Sequence, residues 1–165
     1  MTEQTSPLAA KFYAVFDLAV QLMKQYGLKD WIFKFNRRKR DLGICYAPHR
    51  GRPGRIELSI YFVHKNSEAE IRDTILHEIA HALVGQEHGH DNVWKAKCME
   101  IGATPKRCGK AEMPMGNWRA TCPGCQTKFH RHRRPKRMTG CYCRACGPTK
   151  GQIVWNYGST PVKPA

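Results

Sequence analysis

His77-Glu78-Ile79-Ala80-His81 is a stretch whose residue types and spacing suit metal chemistry. On a helix, residues four apart lie one turn apart on one face, so His77 and His81 can both reach a single ion. Glu78 points round the cylinder, where its carboxylate can hold a water rather than the metal. A catalytic zinc site takes three protein ligands and keeps one position open. Water in that position is acidified, and a nearby carboxylate can take its proton as it attacks a carbonyl. Three residues compete to be the third ligand: His90, His88 two residues earlier, and Glu100 downstream. Spacing alone leaves the three open.

A second metal pattern follows. Cys122-Pro123-Gly124-Cys125 and Cys143-Arg144-Ala145-Cys146 are two C-x-x-C knuckles separated by 17 residues, within the range of a four-cysteine zinc ribbon. Four thiolates close the coordination sphere, which makes such a site structural. Cys141 is a spare thiol that could displace Cys143, although Cys143 keeps the two-residue spacing. Cys98 and Cys108 have no close cysteine or histidine partner and read as packed thiols.

Between the knuckles runs Phe129-His130-Arg131-His132-Arg133-Arg134-Pro135-Lys136-Arg137. Arg131, Arg133, Arg134, Lys136 and Arg137 can pair with phosphates, and the nearby rings Phe129, Tyr142, Trp155 and Tyr157 could stack on bases. His130 and His132 belong to the same basic face. The charge of the whole chain agrees. Residues 1–94 carry 13 Lys+Arg against 11 Asp+Glu, and residues 95–165 carry 15 against 2, so +13 of the net +15 lies in the C-terminal part. This asymmetry points to a polyanionic partner, nucleic acid before membrane.

The elements that must position these residues can be read in order. Ser6-Pro7 opens a helix whose apolar face runs from Leu8 through Phe12, Val15, Ala19 and Leu22 to Tyr26, with Gly27 as the stop. Trp31–Phe35, Leu42–Tyr46 and Arg55–Phe62 read as strands; in the last, Ile56, Leu58, Ile60 and Phe62 share one face. The basic run Arg37-Arg38-Lys39-Arg40 reads as a solvated turn. Ser67 with Glu70 makes a capping box for the H-E-x-x-H helix, whose stripe is Ile71, Ile75, Ile79, Ala82 and Leu83 and whose stop is Gly85. A further helix is expected from Asn92 to Ile101 with Asp91 as its cap. The expected class is α+β: a small three-stranded sheet packed with helices, followed by a zinc ribbon. The expected division is a catalytic domain over 6–115, a ribbon over 116–158 and a disordered tail over 159–165.

Hydrophobic content of 41% and aromatic content of 10% belong to a folded chain. No apolar run reaches the ~18 residues of a membrane span, and the first residues lack the features of a signal peptide. A cytoplasmic monomer with reduced thiols, associated with single-stranded or junction-like DNA, is the expectation.

H-E-I-A-H, a short loop and His90-Asp91-Asn92-Val93-Trp94-Lys95 together resemble the SprT-like (SprT/Spartan) zinc metalloprotease family. Gly54-Arg55-Ile56-Glu57-Leu58-Ser59 is similar to the strand that precedes the active-site helix in that family. The resemblance extends over about residues 8–157. Members place a third histidine four residues before an aromatic. By that pattern His90 is the third ligand and Trp94 the matching aromatic, with Asp91 where glycine is common. The family also commonly ends in a zinc ribbon. The resemblance therefore implies two zinc ions, Glu78 as general base, and proteolysis of DNA-bound proteins, including covalent DNA–protein crosslinks. The competing expectations are a zinc-ribbon nucleic-acid-binding protein without peptidase turnover, and hydrolysis of a non-peptide bond at the same centre.

Overall fold

The computed structural model describes residues 6–107 and 111–158. The readings of Cys108 as a packed thiol and of 159–165 as a disordered tail fall outside them. The chain divides into two compact units, Met1–Met113 and Pro114–Ala165.

The first unit opens with α1 (Pro7–Gln25), capped by the Ser6 hydroxyl, which accepts from the Ala9 N–H. Three strands follow: β1 (Ile32–Asn36), β2 (Gly43–Tyr46) and β3 (Arg55–Ser59). Their order is β1-β3-β2, with β1 parallel and β2 antiparallel to β3, so β2 is an edge strand. One face of the sheet is apolar. Phe33, Ile56 and Leu58 are buried there with Ala19 and Leu22 of α1, and Phe12 of α1 meets Phe35 edge-on at 5.1 Å.

The strand expected over 55–62 stops at Ser59, and residues 60–65 form a short helix, α2 (Ile60–Lys65). The reason lies in what each side must bury. Phe62 and Val63 are adjacent and both fully buried, which a helix packed on the core does readily, whereas a strand of a sheet with one open face buries apolar residues in alternation. Ser59 is held at the junction, its hydroxyl donating to the Arg38 carbonyl and its N–H to the Leu42 carbonyl at 2.9 Å.

Next comes α3 (Glu68–Val84), the H-E-x-x-H helix. Its capping box is formed in both directions between Ser67 and Glu70. The buried stripe is Ile71, Ile75, Leu76, Ile79 and Ala80. It differs from the expected one at the end, where Ala82 is half-buried and Leu83 is 37% exposed. A single 3₁₀ turn, Gln86–His88, leads to α4 (Asn92–Glu100), whose first turn is capped by Asp91 through the N–H groups of Val93 and Trp94 at 2.9 and 3.0 Å.

The second unit is built from β4 (Trp118–Thr121), β5 (Lys128–Arg131), β6 (Cys141–Tyr142), the single turn α5 (Gly147–Lys150), β7 (Gln152–Ile153) and β8 (Asn156–Tyr157). Strands β5-β4-β8 form one antiparallel sheet, and β6 pairs with β7. Its core is small: Ala120, Cys122, Cys143, Ile153 and Trp155. The α+β class with a three-stranded sheet and an appended four-cysteine module is the one read from the sequence. No helix among the described residues is long and apolar enough to cross a membrane.

Candidate metal centres

His77 and His81 project from one face of α3, and the turn after Gly85 brings His90 back to them. The His90 Nε2 lies 3.2 Å from His81 Nε2 and 3.2 Å from His77 Nε2. Ligand atoms ~2.0–2.1 Å from a tetrahedral zinc stand about 3.3 Å apart, so both separations from His90 match what the ion requires, and all three ligand atoms lie within 4.8 Å of one another. Burial, together with the neighbouring imidazoles, pushes His77 down to about 3 and His81 down to about 4; burial and then the positive Arg107 lower His90. All three rings are therefore neutral near pH 7, the form that presents a lone pair to a cation.

Trp94 is fully buried beneath this cluster. Its ring stacks on His81 at 5.2 Å and 25°, and meets His77 and His90 edge-on at 4.6 Å. The other candidates for third ligand are engaged elsewhere. His88 Nδ1 bonds the Asp91 carboxylate at 3.0 Å, and Glu100 is an exposed partner of Lys97 at 2.6 Å.

Glu78 is only 6% exposed. Burial pushes its carboxyl up to about 8, opposed by a hydrogen bond donated by the Cys45 N–H and assisted by repulsion from Asp41. A divalent cation on the adjacent histidines works against that rise. The Cys45 thiol is itself pushed up to about 12 by burial and by Glu78, so it is an inert neighbour. Glu78 and the histidines line one cleft of about 860 Å³, walled by β2 on one side and reached by Arg38, Arg40, Lys106 and Arg107.

Edge strand β2 reads from the sequence only as a strand, yet it supplies the groups that hold Glu78. A Cβ on Gly43 would lie 2.8 Å from both Cγ and Oε1 of Glu78. A lone glycine inside a strand pattern is the signal for such a close approach. Arg107 and Lys106 give no such signal, being two cations in an irregular stretch.

In the second unit, Cys122, Cys125, Cys143 and Cys146 bring their sulfurs within 4.8 Å of one another. The Cys125 and Cys143 sulfurs are 3.7 Å apart, and thiolates ~2.3 Å from a tetrahedral zinc stand about 3.8 Å apart. Each knuckle turns through a residue of positive φ just after its second cysteine, Gln126 at 59° and Gly147 at 68°. Cys141 is outside the cluster, its thiol facing the Arg137 carbonyl at 3.8 Å. Cys98 is fully buried and pushed up to about 11 by burial, as a packed thiol should be.

The basic loop is mixed. Arg131, Arg133, Arg134, Lys136 and Arg137 are all exposed, but Arg131 lies over the Trp155 ring at 5.2 Å and Arg134 over Trp118 at 5.9 Å. Trp155 is a core residue at 5% exposure, and Phe129 is half-buried. Neither is the open stacking ring suggested by the sequence. Tyr142 and Tyr157, at 55% and 64%, are open.

The His and Cys sets are both donor sets that zinc accepts, one leaving a coordination position free and the other closed. A search of curated proteins finds no match. The SprT-like family matches residues 12–114, a span that holds the His cluster, Glu78 and the strand that carries Gly43. The chain belongs to the SprT-like family.

Proposed function

We propose that the chain is a zinc-dependent endopeptidase acting on proteins bound to nucleic acid, with DNA–protein crosslinks as the substrate class. The observation that carries the peptidase reading is the convergence of three neutral imidazoles, His90 standing 3.2 Å from each of the other two, with a carboxylate on the adjacent residue, in an open cleft. His77, His81 and His90 would hold the catalytic zinc; Cys122, Cys125, Cys143 and Cys146 would hold a structural one. Bound catalytic zinc supplies a Lewis acid and lowers the pKa of water at the open position.

The rest falls to the chain's own groups. Glu78 accepts the proton of the attacking water at a carboxylate oxygen and later passes it to the leaving amine nitrogen. The Cys45 N–H fixes that carboxylate, and the wall of β2 keeps it from swinging away. Trp94 holds the three rings against one another. The nucleic-acid half of the reading rests on the +13 balance of residues 95–165 and on the exposed Arg133, Lys136 and Arg137.

The test compares zinc-loaded wild type with Glu78→Gln on a DNA-bound protein, with and without DNA. Wild type should cleave, faster with DNA present, and Glu78→Gln should lose about 100-fold or more. Equal turnover by both would remove Glu78 from the chemistry. A folded, zinc-loaded wild type inert on every protein offered would favour a binding role without turnover.

A further inference from the structure

The near neutrality of residues 1–94 conceals a cancellation. Residues 34–55 carry eight Lys+Arg (Lys34, Arg37, Arg38, Lys39, Arg40, Arg50, Arg52 and Arg55) against Asp41 alone. The remainder of 1–94 carries 5 basic against 10 acidic residues. The fold gathers this basic stretch on the strands and loops of one sheet. The face opposite the core is formed by Lys34 and Asn36 of β1, Arg55 and Glu57 of β3, and Ile44 and Tyr46 of β2, which alternate with the buried Phe33, Ile56, Leu58 and Cys45.

Part of the charge is spent on building the platform. Arg55 donates to Glu57 at 2.8 Å and lies 3.9 Å over the Tyr46 ring. Arg38 reaches Asp41 at 3.2 Å and the Tyr46 hydroxyl at 3.1 Å. Asn36 donates to Glu57 at 3.2 Å, and Lys39 sits over Tyr61 at 5.5 Å. The rest is unspent. Lys34, Arg37, Arg40, Arg50 and Arg52 are exposed and have no acidic partner among the described residues.

We propose that this open sheet face is a second nucleic-acid-binding surface, separate from the ribbon loop, that tracks a sugar–phosphate backbone from the β2–β3 loop to the rim of the catalytic cleft. A strand of about five residues spans roughly 15 Å, long enough to meet a few consecutive phosphates of one backbone. Six of the eight cations are arginines, which pair with phosphate oxygens bidentately. The direction is set by Arg38 and Arg40, which line the cleft that holds Glu78. A backbone lying on this face therefore leads to the cleft mouth, where a protein attached to it would be cut; in this sense the inference rests on the function proposed above.

Binding alone tests it, with no peptidase readout, so its failure and that of the peptidase reading are separable. Full-length, zinc-loaded protein carrying Arg131, Arg133, Arg134, Lys136 and Arg137→Ala serves as the background. Into it go Lys34, Arg37, Arg50 and Arg52→Gln. Fluorescence anisotropy with labelled duplex and single-stranded oligonucleotides gives affinity against salt, and zinc content with melting temperature checks the fold. The background protein should retain salt-dependent binding. The four further changes should lower its affinity about tenfold or more at low salt. They should also flatten the salt slope by about 0.9 for each phosphate no longer neutralised on duplex, or ~0.7 on single strands. Unchanged affinity and slope would overturn the proposal. So would polyglutamate binding abolished in the same variant while oligonucleotide binding stayed, since the face would then serve acidic protein.

Discussion

In the proposed chemistry, Glu78 works only if its carboxylate stays where the cleft needs it, and two residues of β2 decide that. Gly43 leaves the space, since an added Cβ would stand 2.8 Å from Glu78 Oε1 and 3.0 Å from Leu58 Cδ2. We expect Gly43→Ala to fold and keep its zinc but to lower kcat by about 100-fold, with KM little changed. A displacement near 1 Å at a reacting group carries a cost of that order. A parallel loss of zinc or of melting temperature would make Gly43 a packing residue instead. The third ligand has an equally direct test. His90→Ala should lose the cleft metal and activity together, while His88→Ala and Glu100→Ala should keep the metal, because those side chains bond Asp91 and Lys97. Tight zinc retained in His90→Ala would move the role to another residue. At this scale the sequence is informative about His77 and His81, because helical periodicity alone puts them on one face, and about Glu78 through the H-E-x-x-H pattern. Gly43 shows only as a lone glycine in a strand pattern, which signals a close approach without naming its partner. The sequence is silent on Cys45, whose role depends on which strand becomes the edge of the sheet.

Helix α3 is the element that the site depends on, and its start is written in the sequence. Ser67 and Glu70 satisfy orphan N–H groups at each other's positions, with the Ser67 N–H donating to Glu70 at 2.9 Å. Ser67→Ala should cost about 1 kcal/mol of stability, read as a lower melting temperature with zinc content unchanged. The pH dependence has a definite sign. Hydrogen bonds from the Ser67 N–H and then its hydroxyl hold Glu70 below the usual carboxylate range. A group depressed on folding contributes stability above its unfolded pKa and loses it as pH falls through the folded one. Glu70→Gln should therefore narrow the drop in melting temperature on acidification; an unchanged acid limb would show that the box adds nothing. The end of β3 is the element that periodicity misreads. Ile60 and Phe62 continue the alternation of Ile56 and Leu58, so a period of two runs on past the true boundary. Only Val63, buried beside Phe62, breaks it. The parallel pairing of β1 with β3 is beyond local pattern altogether, since it is fixed by which faces α1 and α3 must cover.

The two units differ in how much core they own, and the metals should matter to them unequally. Unit 1 packs nineteen buried apolar residues into one cluster among those described, from Val15 to Ala103, and none of them is a candidate ligand. Unit 2 buries five, two of which, Cys122 and Cys143, are themselves in the cysteine cluster. A core of that size does not offset the entropy of ordering some forty residues without a staple, and a closed zinc site supplies one. The His cluster lies in an open cleft and would leave a coordination position free, so an ion held there should exchange more easily. Elemental analysis should give two zinc ions per chain. Mild chelation should take one, with loss of activity and little change in circular dichroism or melting. Harsher chelation, or Cys122→Ser with Cys143→Ser, should unfold the second unit while the first keeps its fold. The four tryptophans divide evenly between the units, Trp31 and Trp94 in one and Trp118 and Trp155 in the other. Fluorescence of single-tryptophan variants can therefore follow each unit by itself. One zinc in a well-folded chain, or one concerted unfolding of both units when the cysteine site is emptied, would refute this division of labour between the metals.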